Sequence, residues 1–273
     1  MTNTQLRIAI FGVSGRMGRA LLAAIDEIPS ATLSGAAVST ESRWIGSDAS
    51  EPSGGVRRGI SISGEPVAAL RGAAVAIDFS LPEATSANLE ACVAAKCALV
   101  IGTTEHDSHG RKAIEEAARH IPVVCAPNMS IGVNLLLRLT QLASATLDAS
   151  YDIEIFEAHH RNKKDAPSGT ALALGRAAAS GRGVKLEEVT EDVARGGARG
   201  NGTIGFSVFR GGDVVGDHTV TFAGIGERIE LTHRASDRMS FARGAVRAAQ
   251  WVVDKKPGLY SMQDVLELSK IAI

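Results

Sequence analysis

The segment EAHHRNKKDAPSGTALAL, residues 157–174, brings together several side chains that could do chemistry. Its titratable and cationic residues are His159, His160, Arg161, Lys163 and Lys164. Ser168 is placed to cap the helix that the following SGTALALG predicts. Cations beside the free N–H groups of a helix start favour a carboxylate, and a histidine titrates near neutral pH. The segment therefore predicts anion binding and acid–base catalysis.

Two other interpretations of this segment stay open. Histidines and lysines at a strand end are commonly solvated and take no part in chemistry. The other interpretation is a metal site, with His218 and His233 as distant further ligands. Adjacent residues of an extended chain point in different directions, so His159 and His160 do not readily hold one ion. We predict acid–base and anion-binding roles and no metal.

A second motif, IAIFGVSGRMGRAL at residues 8–21, joins an apolar run to a helical pattern through Gly12, Gly15 and Gly18. A tight strand-to-helix turn with an open helix N-terminus attracts the anionic oxygens of a pyrophosphate. The commonest dinucleotide fingerprint has its middle glycine one residue earlier, where this chain has the small Ser14. We predict a dinucleotide site, with an ordinary strand–helix turn as the alternative.

Strands and helices alternate through the first half of the chain. Predicted strands lie at 6–11, 32–38, 73–80, 97–104 and 121–128, and predicted helices at 16–28, 83–95 and 111–120. This order predicts a parallel sheet with right-handed crossovers, and ligands bind beyond the carboxyl ends of such strands. We expect one cleft surrounded by the loops 12–18, 78–82, 102–104 and 126–130.

The pattern changes after Asn128. A helix at 132–147 precedes a strand at 151–160 and three strands joined by glycine turns, at 201–210, 214–223 and 227–236. Their alternating polarity is typical of antiparallel strands with one covered face, which predicts a separate α+β domain. The last segment, with a helix at 241–253, is expected to return to the first domain. We therefore predict one domain from 1–130 and 241–273, and an inserted domain at 131–240 that closes on a hinge.

Composition excludes several classes of protein. Lys and Arg number 29 against 30 Asp and Glu, so the net charge of -1 gives no general attraction to nucleic acid or an anionic membrane. No stretch approaches the length of a membrane span. The three cysteines and the lack of a signal-peptide pattern indicate reduced thiols in the cytoplasm. Cys125 ends a strand and is an alternative nucleophile for an acylating aldehyde dehydrogenase, although an inert buried thiol is commoner.

The second strand bears on the choice of coenzyme. A carboxylate at its end usually binds the adenosine ribose, and its absence often accompanies the phosphorylated coenzyme. Here the strand ends in Ser39 and Thr40, with Glu41 and Arg43 slightly beyond. The sequence therefore favours NADPH, with NADH tolerated.

Taken together, the motifs resemble those of a known family. GRMGR, IDFSLPEAT, VIGTT, APNMSIGVN and above all EAHHRNKKDAPSGTA are similar to segments of the 4-hydroxy-tetrahydrodipicolinate (dihydrodipicolinate) reductases of lysine and diaminopimelate synthesis. The resemblance covers nearly the whole chain. It implies a Rossmann-type parallel sheet domain with an inserted α+β domain for substrate binding and oligomerisation, commonly in a homotetramer. It also implies reduction of a cyclic dicarboxylate by NAD(P)H after loss of water, with hydride delivered to ring carbon C4.

The resemblance also implies residue roles. His159 would donate or accept the proton, and Lys163 would be a second proton donor. The residues implied for the substrate carboxylates are His160, Ser168, Gly169 and Thr170. The residues implied for the coenzyme are Gly12, Val13, Ser14, Gly15, Arg16, Met17, Gly102, Thr103, Thr104, Ala126, Pro127, Asn128 and Met129. Many members carry an acidic residue, often followed by arginine, where this chain has Ser39 and Thr40.

Rival hypotheses are another dehydrogenase of aspartate-derived metabolism and a nucleotide sensor without turnover. The first would need Cys125 or another nucleophile for acyl chemistry. The second would bind coenzyme regardless of His159 and Lys163. The Gly- and Arg-rich stretch at 191–202 is expected to be a loop, either near the substrate or simply solvated.

Overall fold

A computed structural model describes residues 5–191 and 197–270, so the predicted loop at 191–202 lies partly outside the described residues. The strands are β1 Leu6–Phe11, β2 Ala31–Ala37, β3 Ile62–Ser63, β4 Val75–Asp78, β5 Ala98–Ile101, β6 Pro122–Cys125, β7 Asp152–His159, β8 Ile204–Arg210, β9 Gly216–Ala223, β10 Arg228–Ala235 and β11 Gly258–Tyr260. The α-helices are α1 Arg16–Asp26, α2 Pro66–Ala69, α3 Thr85–Ala95, α4 Ser108–Ala117, α5 Ile131–Thr146, α6 Gly169–Gly181, α7 Leu186–Val189, α8 Met239–Val252 and α9 Met262–Val265.

The chain divides into two compact units. The first runs to Ser130 and resumes with Met239–Ser269, and the second consists mainly of Ile131–Arg238. In the part of the chain that the structure describes, no helix is both long and apolar enough to cross a bilayer.

The first unit is built on a seven-stranded sheet in the order β11-β6-β5-β4-β1-β2-β3. Each neighbouring pair is parallel, as the alternation of strands and helices predicts. The central strands are buried on both faces because helices cover both. Ile8 and Ile10 pack on the side of α1 and α8, whereas Ala9 and Phe11 pack on the side of α3 and α4. The predicted Rossmann-type α/β class is confirmed.

The C-terminal segment adds a strand that the sequence pattern does not reveal. The helix predicted at 241–253 is α8, which packs against α1. After Pro257 the chain forms β11, which pairs in parallel with β6 through Leu259 and Val123. The three residues of β11, which begin with the glycine of a Pro-Gly pair, are too few to show the periodicity of a strand. They form a strand because they pair with β6.

The second unit has a four-stranded sheet in the order β10-β9-β7-β8, covered on one face by α5 and α6. Its core includes Ile153, Ile155, Phe206, Val220 and Phe222. The α+β class is confirmed.

The expectation of a purely antiparallel arrangement is wrong for β8. It pairs in parallel with β7, because α6 and α7 intervene and return the chain in the same direction. Among the described strands, only β9 and β10 form a hairpin, through residues 224–227. The link at 211–215 instead crosses the end of β7, where the amide of Gly211 donates to the carbonyl of His159 at 3.0 Å. The direction in which two strands pair depends on the segments that connect them, and the pattern of polar and apolar residues within a strand does not indicate it.

Candidate active site

The carboxyl end of β7 carries a buried carboxylate and a histidine on the same face of the second sheet. Glu157 and His159 are two residues apart, so their side chains point the same way. The Glu157 side chain is fully buried and that of His159 is 11% exposed. Nδ1 of His159 is hydrogen-bonded to Oε2 of Glu157. This contact fixes the histidine ring and leaves Nε2 without a hydrogen-bond partner among the described residues.

Glu157 also receives hydrogen bonds from two other elements. Arg210, at the end of β8, donates to Oε2 at 2.9 Å and to Oε1 at 2.8 Å. The backbone amide of Ser168 donates to Oε1 at 3.0 Å. One carboxylate therefore ties together β7, β8 and the start of α6.

The charges of this cluster shift its pKa values in defined directions. Burial raises the pKa of Glu157, but hydrogen bonds from Arg210, His159 and the Ser168 amide outweigh it, so the net pKa is lowered. Burial lowers the pKa of His159, and Glu157 opposes this only in part. At neutral pH the pair therefore favours an ionised Glu157 and a neutral His159.

Lys163 reaches the same network through Asp165. Its Nζ lies 2.8 Å from Oδ1 of Asp165, and Arg210 donates to the carbonyl of Asp165 at 2.7 Å. Partial burial raises the pKa of the Asp165 carboxyl, but the contact with Lys163 prevails and lowers it. The structure thus links Lys163 and His159 through Asp165, Arg210 and Glu157.

The start of α6 has the features of an anion site. Ser168 is the N-cap, and its Oγ accepts from the amide of Ala171 at 3.1 Å. Gly169 is exposed and nothing lies within 4 Å of where its side chain would be, so a ligand can approach the backbone. His160 is half-buried at the start of the same loop, and the carbonyl of His160 accepts from the amide of Lys163. The helix begins where the sequence predicts.

A third histidine, His218 on β9, completes the cluster. Its Nε2 lies 3.2 Å from Oγ of Ser168, and its ring meets that of His159 edge-on with centroids 5.2 Å apart. Gly216 on the same strand faces Nε2 of His159, and a side-chain carbon there would lie only 3.1 Å from it. Glycine at this position therefore keeps the free nitrogen of His159 unobstructed.

Possible metal ligands of Glu157, His159 and His218 lie within 4.8 Å of one another. However, both oxygens of Glu157 already accept two hydrogen bonds each, two of the four from the Arg210 guanidinium. A cation would have to displace that guanidinium and then lie beside it. The donor set therefore fits acid–base chemistry better than metal binding.

In the first unit, the glycine turn follows β1 as expected. Gly12 has φ of 80°, and a side-chain carbon there would lie 2.9 Å from the carbonyl oxygen of Phe79. At Gly18 the corresponding atom would lie 2.3 Å from the carbonyl oxygen of Val13. Gly15 is the N-cap of α1, and a glycine brings no side chain to occupy the first free N–H groups. This turn fits the pyrophosphate of a dinucleotide.

The other three predicted loops follow β4, β5 and β6, which are consecutive neighbours in the sheet. The buried carboxylate of Asp78 holds two of them in place. Its oxygens accept from the amide of Ser80 at 2.8 Å, from Asn88 at 2.9 Å and from the hydroxyl of Thr103 at 3.3 Å. Gly102 lies against Phe79, whose ring a side chain at 102 would overlap. The four loops thus meet at one edge of the sheet.

The residues predicted for coenzyme binding differ in whether their side chains are accessible to a ligand. Four of these residues have side chains that point into the core or are half-buried against it: Val13, Met17, Ala126 and Met129. Only the backbone of Val13, Ala126 and Met129 remains for a ligand. Ser14, Arg16 and Thr104 are at least partly accessible. The assignment of these residues to the coenzyme stays a prediction.

Cys125 is a poor nucleophile in this setting. Burial raises the pKa of its thiol to about 11, so the thiol is protonated at neutral pH. Cys125 shares a cavity of about 360 Å³ with His106, a neighbour that the sequence does not reveal. The ring nitrogens of His106 lie 2.9 Å from the carbonyl oxygen of Thr103 and 3.4 Å from the hydroxyl of Thr85. His106 is therefore not poised to activate Cys125.

Sequence reasoning missed the residues that support the predicted ones. Glu157 could have been found, because it lies two positions before His159 on a strand of alternating polarity. Asp78 could also have been found, as a charge that ends a buried run. The sequence suggested His218 only as a distant metal ligand and did not suggest Arg210. These two residues are brought to the site by β9 and β8, and no local pattern connects them to His159.

Family models match both halves of the chain. Residues 6–129 match the model described as dihydrodipicolinate reductase, N-terminus, and residues 132–266 match dihydrodipicolinate reductase, C-terminus. The chain belongs to the dihydrodipicolinate reductase family.

Curated relatives agree with the family models. A protein of Thiobacillus denitrificans named 4-hydroxy-tetrahydrodipicolinate reductase is 52% identical over 265 residues, covering 96% of this chain and 99% of the relative. One of the same name from Alkalilimnicola ehrlichii is 54% identical over 264 residues, with the same coverage. The family consists of oxidoreductases, and the first unit has the dinucleotide-type turn of a nicotinamide-dependent enzyme.

Solved structures share the fold. A dipicolinate-bound dihydrodipicolinate reductase from Paenisporosarcina sp. TG-14 has a TM-score of 0.74 at 22% identity, covering 95% of this chain and 98% of that chain. An amine dehydrogenase from Mycobacterium smegmatis has a TM-score of 0.65 at 11% identity, covering 94% and 95%. These dihydrodipicolinate reductase and dehydrogenase folds agree with the two-unit α/β architecture.

Replacing Gly12 with alanine tests the glycine turn. Gly12→Ala combines a positive φ with a backbone clash, so we expect a loss of about 2–4 kcal/mol in the free energy of unfolding, together with weaker coenzyme binding. Gly54→Ala is the control, because Gly54 has φ of 69° with nothing within 4 Å. It should cost only about 1 kcal/mol. Urea unfolding and coenzyme titration measure both effects, and equal losses in the two variants would contradict the role of the Phe79 contact.

Replacing Glu157 with glutamine tests the support of His159. The amide NH₂ would face N–H donors, so the ring would lose its anchor, and we expect turnover to fall about a hundredfold or more. The charge of Glu157 raises the pKa of His159, so its removal should shift to lower pH the alkaline limb of the pH–rate profile, on which His159 loses the proton that it must donate.

Glu154→Gln is the matched control for that variant. Glu154 is also on β7 and also pairs with an arginine, Arg199, but it lies on the other face of the sheet. It should keep most of the turnover. Parental activity and an unchanged profile in Glu157→Gln would show that the carboxylate is dispensable.

Proposed function

We propose that this chain reduces 4-hydroxy-tetrahydrodipicolinate to tetrahydrodipicolinate with NADPH or NADH, in lysine and diaminopimelate biosynthesis. The observation that carries the proposal is the Glu157–His159 pair beside the open start of α6, in a chain of the dihydrodipicolinate reductase family. A dianionic ring needs cations and free N–H groups, and its reduction needs a proton donor.

In this proposal the second unit binds the substrate. His160, the hydroxyl of Ser168, the backbone of Gly169, and the backbone and hydroxyl of Thr170 would hold its carboxylates. His159, oriented by Glu157, would take up a proton on Nε2 and deliver it to the ring. Lys163 would stabilise the negative charge that develops on the ring and serve as the second proton donor.

The first unit would bind the coenzyme, which supplies the hydride. The turn at Gly12–Met17 would take the pyrophosphate, and the loops Gly102–Thr104 and Ala126–Met129 would contact the rest of the molecule. Ser39 and Thr40 are exposed directly after β2, whose last residue, Ala37, accepts from the amides of Gly12 and Val13. With no carboxylate at the strand end, and Arg43 nearby, this position suits a 2′-phosphate and favours NADPH.

Location and assembly are part of the proposal. Cys92, Cys97 and Cys125 are free, which suits the reducing cytoplasm. The uncovered face of the second sheet exposes Phe156 and Phe209, 41% and 49% exposed, which suits burial between subunits. We therefore propose a cytoplasmic homotetramer built through that face.

Steady-state oxidation of NADPH and NADH tests the function. The purified protein is supplied with the freshly made condensation product of pyruvate and aspartate semialdehyde, and its absence is the control. We expect rapid oxidation that requires this product, with a higher kcat/KM for NADPH because of Ser39, Thr40 and Arg43. A folded protein that binds coenzyme but shows no product-dependent oxidation would contradict the function, and a preference for NADH would contradict only the coenzyme assignment.

A lysine variant tests the catalytic assignment. Lys163→Met should lower turnover by about a hundredfold or more, because the charge and the proton donor are both lost. It should leave coenzyme affinity unchanged, since Lys163 is in the second unit. Lys164→Met, at the exposed next position, is the control and should retain activity. Near-parental turnover in Lys163→Met would refute its role.

Light scattering tests the assembly. The parental protein should show the mass of four chains, and Phe156→Glu with Phe209→Glu should yield smaller species because charges are costly to bury in an interface. Val184→Glu, an exposed apolar position beyond α6, is the control and should remain tetrameric. A single-chain mass for the parental protein at working concentration would refute the homotetramer.

A further inference from the structure

We infer that His218 is a positioning residue, which turns the hydroxyl of Ser168 so that its proton faces the anionic ligand. The inference rests on the proposed binding of a dicarboxylate at the start of α6. It assigns a role to a buried histidine that neither the sequence motifs nor the proposed mechanism uses.

The surroundings of His218 limit what it can do. Only 3% of the residue is exposed, and its Nε2 lies 3.2 Å from Oγ of Ser168. Its Nδ1 is buried and has no hydrogen-bond partner among the described residues. Burial and, to a smaller extent, His159 lower the pKa of His218 to about 4, so the ring is neutral near pH 7. A neutral imidazole carries one N–H, on either Nδ1 or Nε2.

The partners decide between these two tautomers. A proton on Nδ1 would leave a buried N–H donor without an acceptor, which folded proteins rarely tolerate. A proton on Nε2 is instead donated to the hydroxyl oxygen of Ser168. The bare Nδ1 is then an acceptor without a donor, the less costly of the two deficits.

This tautomer determines the direction of the Ser168 hydroxyl. A hydroxyl oxygen has two acceptor lone pairs and one proton to donate. The amide of Ala171 uses one lone pair at 3.1 Å, and Nε2–H of His218 uses the other. The O–H of Ser168, a residue only 2% exposed, then points away from both donors and is left for a carboxylate bound at the helix start. The opposite tautomer would direct the same proton back to His218.

The effect on the reaction should lie in substrate binding. Ser168 also donates its amide to Glu157, so it has contacts with both the anion site and the support of His159. His218 contacts the hydroxyl rather than that amide, and it meets His159 only in an edge-on ring contact. Its loss should therefore raise KM and weaken dicarboxylate affinity more than it lowers kcat.

Calorimetry with dipicolinate, a planar dicarboxylate, tests the inference without turnover. His218→Leu should weaken dipicolinate binding about tenfold, whereas His218→Gln, whose amide N–H can replace Nε2–H, should remain within about threefold of the parent. In a double-mutant cycle with Ser168→Ala, His218→Leu should add little, because both changes remove the same contact. KM for the substrate should follow dipicolinate affinity, with kcat changing less.

Nitrogen NMR of protein with ¹⁵N-labelled histidine gives a readout independent of binding. The His218 resonances, assigned by their loss in His218→Gln, should show the proton on Nε2 in the free protein. A proton on Nδ1, full additivity in the cycle, or parental affinity in His218→Leu would overturn the inference. If His218→Leu fails to fold, His218→Gln and the tautomer decide it. A parental protein that binds no dipicolinate would contradict the proposed substrate site, and the tautomer alone would then decide the orientation of Ser168.

Discussion

The carboxylate of Glu157 is the interaction on which the second unit's site depends. An ion of this kind loses its hydration on burial, at a cost of several kcal/mol, and is stable only where donors replace the water. Here four N–H groups do so, from His159, Arg210 and the amide of Ser168. Because each donor belongs to a different part of the chain, satisfying one charge fixes the histidine ring, the end of β8 and the start of α6 together.

The first unit uses the same device in a different sheet. Asp78 is fully buried at the carboxyl end of β4, and its oxygens accept from Ser80, Asn88 and Thr103. These contacts join the loop after β4 to the loop after β5. In both units a buried acid at the end of a strand gives the loops a defined geometry, and the groups that we propose as ligand-binding lie on those loops.

Much of this organisation was accessible from the sequence, because it is local. The bounds of β1, the start of α1 at Arg16 and the start of α6 at Gly169 follow from apolar periodicity, glycine placement and capping. The candidate residues His159 and Lys163 follow from residue type. What the sequence did not show is pairing across distance. β11 forms by pairing with β6, and β8 pairs with β7 after a helical crossover. Arg210 and His218 reach the site because β8 and β9 belong to the same sheet as β7.

The insertion of the second unit has a consequence for the order in which the chain can fold. A ribosome releases the sheet strands β1–β6 first, but α8, which covers α1 and buries Ala242, Val246 and Val252 completely, comes more than a hundred residues later. Until then the apolar face on the α1 and α8 side of the large sheet is covered by α1 alone, without α8. The inserted unit, whose core is formed within Ile131–Arg238, can fold before α8 of the first unit has been synthesised. A nascent chain of this protein is therefore most exposed to aggregation, and most in need of a chaperone, just before its final segment emerges.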